Sequence, residues 1–93
     1  MKKTIVLRIS IKPECIARVL EASKDLVAQT RQEPGCIFYN FYQSTENPSD
    51  FIFYEKFQNQ EAIQKHNETD YVKKFLLTVK ESSQIDVEME LFD

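Results

Sequence analysis

The sequence predicts an α+β fold of ferredoxin-like βαββαβ order, a four-stranded antiparallel sheet with its helices on one face. Three observations point to it. The first and last segments alternate apolar and polar residues with period two. Two aromatic-rich runs in the middle flank the turn cluster Glu46-Asn47-Pro48-Ser49, which reads as a hairpin. The intervening segments repeat their apolar residues at helical spacing.

Thr4 to Ile11 is the first strand, with Ile5, Leu7, Ile9 and Ile11 on one face. Pro13 suits a helix's first turn, where its missing N–H costs nothing. Ile16, Val19, Leu20, Ser23, Leu26, Val27 and Thr30 then carry a helix from Pro13 to Gln32. Pro34 turns Glu33 out of helical geometry, and Gly35 supports the sharp turn. Cys36 to Thr45 and Asp50 to Phe57 are the second and third strands. Asn59 can cap a short helix through Ala62, Ile63 and His66. Thr69 or Asp70 can cap another, which carries Val72, Phe75, Leu76 and Val79, so the second helix is split in two. Gln84 to Phe92 is the fourth strand, with Ile85, Val87, Met89 and Leu91 set against Asp86, Glu88 and Glu90 as a solvated face.

Ninety-three residues are read as a single domain, 1–93, with room for one modest core. Apolar residues at 42% and charged residues at 29% are ordinary for a soluble protein. The 12% aromatic content, 7 Phe and 4 Tyr, is the departure that matters, because those rings fall on paired strands. A net charge of −3 argues against nucleic acid as a partner, since phosphate binding needs clustered Lys and Arg. No apolar run approaches the ~20 residues of a membrane span, and no signal-peptide pattern opens the chain. A cytoplasmic location, no membrane partner and two buried free thiols, Cys15 and Cys36, are the expectations.

Alternation places Ile37, Tyr39 and Phe41 on one face of the second strand and Cys36, Phe38, Asn40 and Tyr42 on the other. In the third strand Phe51, Phe53, Glu55 and Phe57 oppose Ile52, Tyr54 and Lys56. Both faces are substantially apolar, and helices can cover only one. A homodimer, sheet against sheet, would bury the other through one self-complementary patch.

Together these residues resemble the antibiotic biosynthesis monooxygenase family of dimeric α/β barrels. The resemblance rests on Glu33-Pro34-Gly35-Cys36, on Tyr39 and Tyr42, on Phe53-Tyr54-Glu55-Lys56-Phe57, and on Glu61-Ala62-Ile63-Gln64-Lys65-His66. It implies a homodimer with a cavity between sheet and helices in each subunit. It also implies O2-dependent oxidation of a small aromatic or quinol-type ligand with no cofactor. Relatives that degrade haem use a Trp and an Asn where this chain has Phe57 and Leu7 or Arg8, so haem chemistry is not expected. Many members carry a second His where this chain has Tyr71, so a two-histidine mechanism is not expected either.

Such an oxidation begins by deprotonating a phenol or enol. From a phenol pKa of ~10, an imidazole of reference value ~6.5 faces roughly 5 kcal/mol uphill and a carboxylate at ~4.3 roughly 8 kcal/mol. His66, the only histidine, is therefore the candidate general base. The competing reading of His66 is a half-buried core residue behind Ile63. Glu55 is the second candidate catalytic residue, either orienting His66 or pairing with a buried N–H or cation. Tyr39, Tyr54 and Arg8 are candidate donors to the substrate anion. Phe53 and Phe57 are candidate substrate walls or plain core. No metal site is expected, because one His and two distant thiols do not supply the usual ligand set. Two further functions fit the same scaffold: an isomerase of a small enolisable metabolite, and a non-catalytic dimeric binder of a hydrophobic ligand. An RNA-recognition module shares the element order, but its basic-Gly motif and strand-one aromatic are missing.

Overall fold

The computed structural model describes residues 1–93. Four strands, β1 (Lys3–Ser10), β2 (Cys36–Gln43), β3 (Asp50–Phe57) and β4 (Glu88–Phe92), form one antiparallel sheet in the order β2-β3-β1-β4. Three helices, α1 (Ile16–Thr30), α2 (Gln60–Asn67) and α3 (Asp70–Ser82), cover one face, so the predicted class and element order hold. The split second helix is α2 and α3. Each is capped as its sequence suggests: Asn59 Oδ1 accepts from Ala62 N at 2.9 Å, and Thr69 Oγ1 accepts from Val72 N at 3.4 Å.

Several boundaries move for local reasons. Pro13–Cys15 forms a 3-10 turn, and α geometry begins only at Ile16. At the other end of α1, Gln32 N–H bonds back to Gln29 O at 3.1 Å, tightening the chain out of the helix before the expected Gln32. β2 stops at Gln43 because Ser44 turns: its Oγ accepts from the amides of Glu46 and Asn47, and its N–H closes the hairpin on Asp50 O at 2.9 Å. β4 starts at Glu88 instead of Gln84. Continuing the Arg8↔Glu88 register would set Ile11 opposite Ile85, but Ile11 lies opposite Ser83, so the chain loops out before rejoining β1.

The inner face of the sheet is largely aromatic. Phe41 stacks on Phe51 and Phe53 with centroids 4.8 and 4.2 Å apart, and Phe75 of α3 meets Phe53 edge-on at 5.6 Å. Val19 and Leu26 of α1, Ile63 of α2, and Val72 and Val79 of α3 close over these rings. One bulge breaks the expected parity. Between Cys36 and Phe38 the register slips, so Cys36 lies opposite Phe57 while Phe38 lies opposite Lys56. Cys36 therefore shares a face with Tyr39, and Ile37, expected beside Tyr39, is 41% exposed. Neither cysteine is fully buried, contrary to expectation; both are half-buried free thiols.

Candidate active site

His66 occupies the last turn of α2 on the face turned to the sheet, beside Ile63 one turn earlier, and is only 4% exposed. Its ring packs between Tyr39 and Phe57, with centroids 5.4 and 5.1 Å away. Its Nδ1 lies 2.9 Å from Oε2 of Glu33 and 3.2 Å from Oε1. A carboxylate can only accept, so Nδ1 carries the proton shared with Glu33. Tyr71 donates its hydroxyl to the same Oε2. That bond and burial raise the phenol to about 12, burial being the larger cause. Glu33 is thus held from two sides, by the ring it orients and by a phenol.

The turn after α1 delivers Glu33 to this position. Its N–H bonds to Thr30 O at 3.0 Å, its carbonyl accepts from Cys36 N at 3.1 Å, and Gly35 O accepts from Gln58 N at 2.8 Å. Gly35 presses directly on α2: a Cβ built there would overlap that of Ala62. Only glycine lets the turn approach the helix closely enough for Glu33 to reach His66.

A cavity of about 370 Å³ lies between sheet and helices, with His66, Glu55 and Tyr39 in its wall. The rest of the lining is mostly apolar, from Ile5, Leu7 and Phe53 of the sheet and Leu26, Ile63 and Val72 of the helices. Gln60 and Asn67 add polar groups from α2, and the exposed β4 side chains Met89 and Leu91 border it. A second space of about 340 Å³ is bounded largely by polar and charged residues, among them Glu33, Gln58, Asn59, Lys65 and Thr69, with Gly35 at its edge. Glu33 therefore borders this cleft and, through His66, adjoins the chamber.

Glu55 lies mid-strand on β3, opposite Tyr39 of β2 and Ile5 of β1, and is 5% exposed. Neither role open to it from the sequence is observed. It makes no hydrogen bond to His66, whose orienting partner is Glu33, and it pairs with no cation. Burial first, and the negative charge of Glu33 second, push its carboxyl up to about 8. Burial and the charge of Glu55 likewise push the Tyr39 phenol far up, and Cys36 rises to about 11 by burial and by Glu33. At neutral pH all three are therefore protonated groups.

The remaining expected site residues divide by face. Phe53 lines the cavity, while Phe57 is fully buried behind His66. Arg8 and Tyr54 are not at the cavity, because strand alternation carries them to the outer face. Arg8 pairs there with Glu88 at 2.8 Å and Asp50 at 3.6 Å. Tyr54 meets Phe38 edge-on at 5.6 Å with Lys56 above its ring. Glu33 and Tyr71 were not anticipated as site residues. Glu33 was visible as the residue Pro34 bends out of the helix and as the start of the Glu-Pro-Gly-Cys motif, with no site role attached to it.

An α+β ferredoxin-like sheet with a carboxylate-held imidazole over an apolar chamber defines the class. The chain belongs to the antibiotic biosynthesis monooxygenase family, whose profile matches residues 4–76. A crystal structure of an antibiotic biosynthesis monooxygenase superposes with a TM-score of 0.93 at 30% identity, covering 100% of this chain and 97% of that one. "Putative monooxygenase YcnE" of Bacillus subtilis is 31% identical over 81 residues, 85% of each chain. Protein sll1783 of Synechocystis sp. is 32% identical over 68 residues, 73% of this chain and 46% of that protein, so this chain spans about half of that relative's length. No helix is long and apolar enough to cross a membrane.

Proposed function

We propose that the protein is a monooxygenase-type enzyme that oxidises a small aromatic or quinol-type molecule in the chamber beside His66. The observation that carries this reading is the buried imidazole in the chamber wall with its Nδ1 committed to Glu33. Nε2 takes the phenolic or enolic proton, and Glu33 stabilises the imidazolium that forms. The resulting anion is electron-rich enough to reduce O2. With a hydroquinone, one oxygen atom enters the ring and the other leaves as water, giving a hydroxylated quinone. The substrate supplies all the electrons, so no separate reductant and no added cofactor is invoked. The family and the name of the Bacillus relative support the oxygenation class. The outer sheet face, carrying Phe38, Tyr42, Ile52 and Phe92, supports a homodimer that buries it.

The test is oxygen uptake by metal-free protein across a panel of hydroquinones. Replacing His66→Ala is expected to lower turnover about 100-fold or more while the fold persists. A variant as active as the parent would overturn the base assignment. Turnover of an enolisable compound without O2 would assign the same imidazole to isomerisation instead.

A further inference from the structure

We propose that Glu55 is the chamber's hydrogen-bond donor to a carbonyl oxygen of the bound ligand, which makes the site selective for ketone- or quinone-type rings over hydrocarbons of the same shape. The inference rests on the chamber being the ligand site proposed above. It starts from an unspent group. Glu55 is 5% exposed, lines the cavity and has no partner within the chain, although a buried polar group without one is costly.

The surroundings decide its chemical form. The other titratable side chains near it are Tyr39 and Cys36 of β2, Glu33 of the α1–β2 turn and His66 of α2. The parts of the chamber wall from β1, α1, α3 and β4 present only apolar residues. Those of β1, α1 and α3 include Ile5, Leu26 and Val72. No cation sits beside Glu55, and the Glu33 charge opposes its ionisation, so the carboxyl keeps its proton up to about pH 8. A protonated carboxyl has an O–H to give, and this one has no acceptor in the chain. The matching ligand has a ring-sized apolar body and an oxygen that accepts.

The probes are 1-tetralone, which has one carbonyl and does not alkylate thiols, and tetralin, its hydrocarbon counterpart. Binding is measured calorimetrically without O2, with circular dichroism as the folding check. In the parent protein at pH 6.5, the tetralone-to-tetralin affinity ratio should exceed that of E55L by roughly fivefold to tenfold. It should fall by a similar factor on going to pH 9.5. E55Q, which keeps an N–H donor but cannot ionise, should retain the preference and lose the pH dependence. Three results would overturn the assignment: equal ratios in the parent and E55L, a pH-independent ratio in the parent, or no binding of tetralone at all. If E55L does not fold, the pH series of the parent and E55Q decides. The two readings fail separately. This binding pattern without oxygen uptake overturns oxygenation alone, and oxygen uptake without the pattern overturns the Glu55 role alone.

Discussion

Glu55 also ties folding to pH. Its carboxyl moves from an ordinary 4.5 to about 8 on folding. Between those values the native protein holds a proton that the unfolded chain releases, so stability falls as pH rises through that window and levels off above it. The shift corresponds to roughly 3–5 kcal/mol lost between pH 5 and pH 9. In urea melts at the two pH values, E55Q should be flatter than the parent by about that amount; identical pH dependence in both would show that the carboxyl is not held neutral. Glu55 and His66 were legible as candidates, and both do line the cavity, because a carboxylate among phenylalanines and a solitary imidazole on an apolar helix face are both anomalous. Their division of labour was not legible. The orienting carboxylate comes from Glu33, 33 residues before His66, and no local spacing announces a contact that only folding creates. Arg8 and Tyr54 were misplaced although the signal was available. Arg8 alternates with Ile5, Leu7 and Ile9, and Tyr54 with Phe53 and Glu55, so the same parity that built the core sent both to the other side.

Among the elements, the turn between α1 and β2 is the part on which the site's geometry depends most. A methyl group on Gly35 must push that turn away from Ala62. Gly35→Ala should cost about 1–3 kcal/mol as an overpacked contact. It should also abolish the downfield, slowly exchanging Nδ1–H resonance of His66, because Glu33 is drawn off. Adding Ala62→Gly should restore most of both, whereas simple additivity of the two changes would mean that the contact does not set Glu33's position. The strands and helices themselves were readable from alternation, helical spacing and caps. The bulge at Cys36/Phe38 was not, since a one-residue slip leaves the apolar pattern of an aromatic-rich strand looking regular. The late start of β4 escaped for a related reason: Ile85 and Val87 continue the alternation even though the chain there has left the β1 register.

For the whole molecule, the two faces of the sheet set different expectations. The helices cover one, and on the other Phe38, Tyr42 and Ile52 remain about two-fifths exposed around the Arg8 ion pairs. The proposed pairing of two copies through this face predicts a dimer in sedimentation at micromolar concentration. Ile52→Lys, which sets a charge in the middle of the patch, should give a folded monomer. A parent protein that sediments as a monomer would remove the pairing. The place of Glu33 has a consequence for turnover. A base that has taken a proton must give it up before the next cycle. Here Glu33 grips the imidazole on one side and borders a cleft lined by Gln58, Asn59 and Lys65 on the other. In the proposed reaction the ring that takes the proton stands one carboxylate away from that cleft, so the proton has a way out beside Glu33 as well as through the chamber mouth bordered by Met89 and Leu91.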